Sequence, residues 1–460
     1  MAHSAHFDLI IVGTGSGNMI PDERFDDMSI AIVEEDRFGG TCLNVGCIPT
    51  KMFVYAADRA FEAADSSSLS LRTSYEGIDW NELQNRIFGK RIDPIAEGGE
   101  KYRRGDETPN ITVFDKHARF IGPKTLSTGQ GDTEWEISGD TIILATGART
   151  NVLDVVKDSG VRYYTNKDIM RLEELPSSMI IQGGGVIAAE FAHVFSALGT
   201  KVSIINRSGE LLKTLDADIR QRFNEIAATR WDLHLGHEID SLTTEENGQV
   251  TAVLDDSSRV TADIFLAATG RIPNGDLLNL EASGIAHDRG LITVDEFGRT
   301  SCEGVWALGD ACNTFQLKHV ANAEARAVAN NVLNPDNLIT LPHHYVPAGI
   351  FTHPQIATVG LTEEEAREKS GSVTVKIQNY GDVAFGWAME DSTGIVKLIG
   401  DSATGKLLGA HIIGPQATTL IQQLITAMVW GIGYRDLATK QYWIHPALPE
   451  VIENALLGLD

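Results

Sequence analysis

Cys42 and Cys47 stand five positions apart in the stretch Gly39-Gly40-Thr41-Cys42-Leu43-Asn44-Val45-Gly46-Cys47-Ile48-Pro49-Thr50-Lys51. A Gly-Gly pair precedes them, and a helical pattern, Met52 to Ala64, follows. With Cys42 opening that helix, Cys47 lies roughly a turn and a third further along. Neighbouring turns bring two sulfurs within bonding reach. So short a loop removes little entropy from the unfolded chain, which argues against a purely structural crosslink. A disulfide made to open and close is the favoured reading; a buried thiol pair and half of a metal site are the alternatives. Lys51, one helical turn beyond Cys47, is either a solvated cation or a charge beside an electron-accepting ring. Near the other end of the chain, His445 and Glu450 lie five apart across Pro446 and Pro449, which stiffen the turn. A thiol attacker must lose a proton and a thiol leaving group must gain one. Histidine suits both at neutral pH, and a carboxylate orients its ring and stabilises the cation.

Two glycine-rich turns would position this chemistry. Phe7 to Val12 reads as a buried parallel strand, followed at once by Gly13-Thr14-Gly15-Ser16-Gly17-Asn18. A second strand, Ile30 to Glu34, closes a βαβ unit. Its acid comes about 20 residues on, where a carboxylate bonds a ribose hydroxyl. The glycines let backbone N–H groups approach a pyrophosphate at a helix N-terminus. Asn18 occupies the place of a usual third glycine or alanine, which leaves the packing there open. The second unit runs from Met179–Gln182 through Gly183-Gly184-Gly185-Val186-Ile187-Ala188 and a helix, Ala189 to Leu198, to a strand, Lys201 to Ile205. Asn206-Arg207-Ser208 and Lys213 then stand where a 2′-hydroxyl reader would be acidic. Cations there suit a 2′-phosphate, so NADPH is expected over NADH; the bland alternative is a solvated face. Ala145-Thr146-Gly147 and Ala268-Thr269-Gly270, each after a strand (Thr141–Leu144, Ala262–Ala267), suggest a duplicated design. Asp310 ends a further strand as a turn former or as a carboxylate on a sugar-like chain. Two dinucleotide units and a cysteine pair imply a nicotinamide hydride donor, a flavin, and a disulfide that receives the electron pair from it.

The 460 residues allow about three domains. Pro176–Ser178 and Leu341–His344 read as boundaries. Strands Ile356–Leu361, Ser372–Gln378, Gly394–Ile399 and Lys406–Ile413 make an antiparallel sheet. Leu420, Ile421, Leu424, Ile425, Met428 and Val429 form a helical stripe for core or subunit interface. A net charge of −25 disfavours nucleic acid and anionic membrane surfaces. Four cysteines do not make a secreted scaffold, and no membrane span or signal peptide is visible, so a cytoplasmic protein is expected. His193, His343, His344 and His411 read as structural. Cys302 and Cys312 carry no motif, and no metal site is expected.

The cysteine stretch, the two Ala-Thr-Gly turns, Ala307-Leu308-Gly309-Asp310 and His445-Pro446 resemble the class I pyridine nucleotide–disulfide oxidoreductases over nearly the whole chain. Lys51–Ala57, Gly89–Tyr102, Tyr380–Asp391 and Tyr442–Leu457 resemble the mycothione-reducing branch of that family. The resemblance implies two Rossmann-like α/β domains and a C-terminal α+β dimerisation domain: residues 1–150 with 272–341 for FAD, 151–271 for NADPH, and 342–460 for the subunit interface. It implies that Cys42 attacks the substrate disulfide, Cys47 forms a charge-transfer thiolate with the flavin, and Lys51 pairs with Glu190 near flavin N5. FAD would be held by Gly13, Gly15, Ser16, Gly17, Glu34, Gly40, Thr41, Lys51, Ala118, Thr146, Gly147 and Asp310. NADPH would be held by Gly183, Gly185, Ile187, Arg207, Lys213 and Gly270. His445 and Glu450 would come from the partner subunit of a homodimer. The expected activity is reduction of a low-molecular-weight thiol disulfide, mycothione first. Glutathione reductase-like or lipoamide dehydrogenase-like activity and a non-catalytic flavin redox sensor are the alternatives.

Overall fold

The computed structural model describes residues 3–64 and 66–460. Its first sheet has seven strands built around His3–Val12, which pairs in parallel with Ile30–Val33 on one side and Trp135–Leu144 on the other. Ile111–Phe114 extends the parallel edge, and Val305–Ala307 returns late in the chain to pair with Trp135–Leu144. Leu9, Ile10, Ile11 and all of Ile30–Val33 are buried, as strands covered on both faces must be. A second, four-stranded parallel sheet runs Asp232–Leu235, Lys201–Asn206, Ser178–Gln182, Ile264–Ala267. The C-terminal sheet is antiparallel, with five strands: Ala348–Ile350, Ile356–Gly360, Lys406–Ile413, Ile395–Asp401 and Val373–Asn379. The helix Ala417–Trp430 packs Leu420, Ile421 and Leu424 into one core with Val396, Leu398 and Ile412 of this sheet.

The duplicated design is visible atom by atom. Gly13 (φ +103°) and Gly183 (φ +126°) each lie so close to the facing strand end that a Cβ would meet Ala145 O at 2.4 Å and Ala268 O at 2.3 Å. Each first glycine therefore nests against the alanine of its Ala-Thr-Gly turn.

The structure corrects several expectations. No α-helix follows the first glycine turn. Pro21 has no N–H to continue one, and the crossover is two short 3₁₀ turns, Gly17–Met19 and Glu23–Phe25, the second capped by Asp22. The cysteine helix is two helices. Gly40–Asn44 carries Cys42, Val45 and Gly46 break it, and Cys47 opens an 18-residue helix, Cys47–Ala64. The expected strand Ala262–Ala267 is split at Asp263, whose carboxylate turns aside to accept from Ser178 N (2.9 Å) and Gln249 Nε2 (2.9 Å). In the C-terminal helix Val429 is exposed (56%), next to Trp430 (78%), while the rest of its stripe is buried.

Candidate active site

The first glycine turn, the strand end at Glu34 and the cysteine helices are bound into one wall. Thr14 donates to Glu34 Oε2 through its backbone N–H (2.9 Å) and its hydroxyl (2.6 Å). The same hydroxyl accepts from Gly39 N (2.9 Å), just ahead of Cys42. Gly40 (φ +68°) lies against Gly15, where a Cβ would come within 2.6 Å of the Gly15 Cα. A cleft runs along this wall, lined by Gly13, Gly15, Ser16, Glu34, Gly40, Thr41, Cys42 and Cys47 and also by Ala118, Thr146, Gly147 and Asp310. It brings together most of the residues expected to hold a flavin dinucleotide. Gly17 is not on its lining. Gly17 packs against Ala145 and Ile11, where a Cβ would meet both at 2.9 Å. Asn18 accepts a hydrogen bond from the buried Arg103 (Nε to Oδ1, 2.9 Å), which also holds the Asn18 and Pro21 carbonyls. That partner explains the departure from the glycine pattern, and no local sequence signal announces it.

Cys42 and Cys47 are free thiols. The interaction with Cys47, together with burial, pushes the Cys42 thiol far up; the same interaction draws Cys47 down to about 7. Cys47 is the first residue of its helix, and its own backbone N–H and the Lys51 charge pull the same way. In the dithiol the proton therefore stays on Cys42 and the charge on Cys47. Lys51 sits one turn further on, off the cleft lining, with its Nζ 2.8 Å from Glu190 Oε1 and 4.0 Å from the centre of the Phe351 ring. Glu190 is fixed in turn by Phe351 N (2.9 Å).

Sequence reasoning missed two cleft residues. Arg271, just after the second Ala-Thr-Gly, reaches Asp310 Oδ2 (2.7 Å) and Ala148 O (2.6 Å). Burial raises the Asp310 carboxyl, and the Arg271 charge opposes that rise. Lys318 opens the helix Lys318–Leu333 and bonds Ser16 Oγ at 2.9 Å. The position after Ala-Thr-Gly hinted at Arg271; nothing local marked Lys318.

The remaining expected residues lie elsewhere. Gly183, Gly185, Ile187, Arg207, Lys213 and Gly270 surround the second glycine turn and do not line the cleft. His445 Nδ1 is 2.7 Å from Glu450 Oε1, whose other oxygen accepts from Ala447 N (3.1 Å). Hydrogen bonding to His445 holds the Glu450 carboxyl below the usual range. The His445 side chain is 72% exposed and does not reach the cleft of its own chain.

The model for the pyridine nucleotide-disulphide oxidoreductase family matches residues 7–326. The chain belongs to this family. The family's dimerisation domain matches residues 346–456. Mycothione reductase of Mycobacterium tuberculosis is 49% identical over 98% of this chain and 99% of its own. Glutathione reductase of Burkholderia cepacia is 32% identical over 96% and 97%. The HOCl-induced flavoprotein disulfide reductase RclA from Escherichia coli, solved as a Cu(II) complex, superposes with a TM-score of 0.87 at 27% identity, covering 98% of this chain and 99% of that one. The pyridine nucleotide-disulphide oxidoreductases bind FAD and a pyridine nucleotide. The cleft here fits such a group. Thr146 Oγ1 and Asn44 Oδ1 are buried beside it without a hydrogen-bond partner among the described residues. An unsatisfied buried oxygen costs about 1–3 kcal/mol, which a polar ligand relieves. Among the described residues no helix is long and apolar enough to cross a membrane.

Proposed function

We propose that this protein is an NADPH-dependent, FAD-containing disulfide reductase, working as a cytoplasmic homodimer, and that its substrate is mycothione. The observation that carries the reading is the Cys42–Cys47 pair, with the charge drawn to Cys47, at a cleft that Glu34 and the first glycine turn also line. The choice of mycothione rests on the 49% identity, end to end, with a mycothione reductase. Residues 1–150 with 272–341 would form the FAD-binding domain, 151–271 the NADPH-binding domain, and 342–460 the interface domain.

Glu34 would hold the adenosine ribose, the Gly13–Gly15 turn the pyrophosphate, and Asp310 the ribityl chain. Flavin, when bound, supplies the two-electron relay from nicotinamide to the cysteine disulfide. Lys51, fixed by Glu190, places a cation beside that relay. Arg207 and Lys213 are exposed cations that face no carboxylate among the described residues, whereas nearby Arg220 is taken by Glu210 at 2.6 Å. The Asn206 amide holds their turn through Ser208 O and Glu210 O. This arrangement favours a 2′-phosphate over a 2′-hydroxyl.

In the dithiol, Cys42 loses its proton to His445 of the partner subunit and attacks one sulfur of the substrate. The substrate S–S bond breaks, a mixed disulfide forms on Cys42, and the first thiol leaves with the His445 proton. The Cys47 thiolate then attacks the Cys42 sulfur, the second product departs as a thiolate that takes a proton from solvent, and the Cys42–Cys47 disulfide closes. The sum is NADPH, a proton and one disulfide converted to NADP⁺ and two thiols. Steady-state turnover with NADPH against oxidised mycothiol, glutathione, lipoamide and bis-γ-glutamylcystine tests the reading. Mycothione should give the highest kcat/KM; preference for another of the four would reject the substrate, and no turnover of any would reject the reductase.

A further inference from the structure

Cys42 and Cys47 lie on two helices joined by Val45 and Gly46, and what holds that joint is not in the cysteine stretch alone. A helix running on from Gly40–Asn44 would hold the Val45 carbonyl with the N–H of the residue four places on. That residue is Pro49, which has none. The backbone ladder therefore restarts at Gly46, whose carbonyl accepts from Thr50 N (3.0 Å). Gly46 lies so close to the first helix that a Cβ would meet Thr41 O at 2.9 Å. The Val45 carbonyl is left outside both ladders and needs a donor.

The donor comes from 121 positions away. Asn166 Nδ2 donates to Val45 O at 2.9 Å. The amide is held from its other end, where Asn166 Oδ1 accepts from Thr150 Oγ1 at 2.6 Å, so the NH2 group faces the carbonyl. The backbone around Asn166 is anchored as well. Tyr164 pairs with the strand Ile264–Ala267 of the second sheet, donating to Phe265 O and accepting from Ala267 N at 2.8 Å each. Thr165 N donates to Asp168 Oδ1 (2.7 Å), and Met170 Sδ meets the Thr50 hydroxyl (3.7 Å) near the start of the cysteine helix. Asn166 and Thr150 are both off the cleft lining.

We propose that Asn166 is a positioning residue for the redox pair: its amide replaces the N–H that Pro49 lacks, pins the break at Val45–Gly46, and so keeps Cys47 at the first position of its helix, across the break from Cys42. It rests on the reading of Cys42–Cys47 as the redox pair and adds to it a residue outside the cysteine stretch. At that first position the sulfur has free backbone N–H groups and the positive end of an 18-residue helix. A break that swings loose frays the first turn and weakens both. The charged and titratable groups acting on Cys47 are Cys42 on the first helix, Lys51 on its own, Glu190 on Val186–Ala197 and Lys318 on Lys318–Leu333. Replacing Asn166 or Thr150 by an uncharged residue changes none of them, so a shift reports position and not charge.

The test is the pH midpoint of the long-wavelength thiolate–flavin band in the flavin-loaded protein, reduced anaerobically with a phosphine so that neither NADPH nor a substrate disulfide is needed. Asn166→Leu keeps the volume and removes the donor; its midpoint should rise by about half a pH unit. Thr150→Val frees the amide to turn. It should raise the midpoint by less, and add nothing in the Asn166→Leu background. Thr150→Ser keeps the hydroxyl and should match wild type. An unmoved midpoint in Asn166→Leu, or a Thr150→Val rise that adds to it in full, would overturn the proposal. If Asn166→Leu fails to retain flavin, Thr150→Val against Thr150→Ser decides, and equal midpoints there overturn it. A wild type with no band at any pH overturns the reading of the pair itself, and the proposal with it.

Discussion

At the scale of the residue, local spacing made the chemistry readable. Cys42 with Cys47, and His445 with Glu450, are near neighbours in sequence whose pairing follows from one or two turns of chain. Arg207 belongs to the same class, since it directly follows the strand Lys201–Asn206 that ends the second glycine unit. Arg207→Glu should lower NADPH preference by about ten- to a hundredfold in kcat/KM relative to NADH, the loss of one charge-assisted contact. Steady-state kinetics with both nucleotides would read it, and an unchanged ratio would remove Arg207 from the 2′-phosphate site. What the sequence hid at this scale were contacts between distant positions. Lys318 reaches Ser16 across 302 positions, and Arg103 reaches Asn18 across 85. No spacing rule covers either.

At the scale of the element, the misreadings have one physical source: a side chain that stops a regular pattern. Pro21 interrupts helix formation in the first crossover, the Val45–Gly46 break divides the cysteine helix, and Asp263 cuts a strand to bond Ser178. Each leaves the chemistry in place but changes who presents it, so Cys47 becomes a helix N-terminus instead of lying a turn inside. The glycine turns were legible because a Cβ cannot be fitted at Gly13 or Gly183. A different element contact was not legible at all. Lys397, 1% exposed on the strand Ile395–Asp401, meets Asp216 (2.9 Å) and Asp218 (2.5 Å) at the start of the helix Ala217–Ala228, and Glu363 (2.7 Å) at the start of Glu363–Lys369. Burial opposes its charge, yet the three carboxylates raise its pKa. Lys397→Met should destabilise the protein by about 3–5 kcal/mol, because Asp216 is left buried and unpaired. The Asp216 and Glu363 carboxyls are held below their usual values, so their contribution is present above pH of about 4 and lost as pH falls through the folded values. Thermal melts at neutral and acid pH would show a large gap between wild type and variant that narrows in acid; a constant gap would place the cost in packing.

At the scale of the whole molecule, the exposed His445 is the telling feature. If His445, held by Glu450 at 2.7 Å yet off the cleft of its own chain, is the base of the proposed mechanism, it would have to serve a second chain, and residues 346–456 match the family's dimerisation domain. Val429 and Trp430 are exposed at the end of the helix Ala417–Trp430. Each of Cys42→Ser and His445→Gln should lower disulfide turnover by about a hundredfold or more as a homodimer. Mixed after dissociation and reassociation, the two should regain turnover, since a hybrid dimer carries one site with both groups intact. No recovery in verified hybrids would place both groups in one chain.

The measurement closest to the centre of this account is an anaerobic titration of the flavin-loaded protein with NADPH, followed by absorbance. Wild type should take up one electron pair and develop a long-wavelength thiolate–flavin band, lost as pH falls through about 7 and Cys47 gains a proton. Cys47→Ser should bleach without that band. A wild-type protein that bleaches with no such band at any pH, or whose flavin NADPH leaves oxidised, would contradict it.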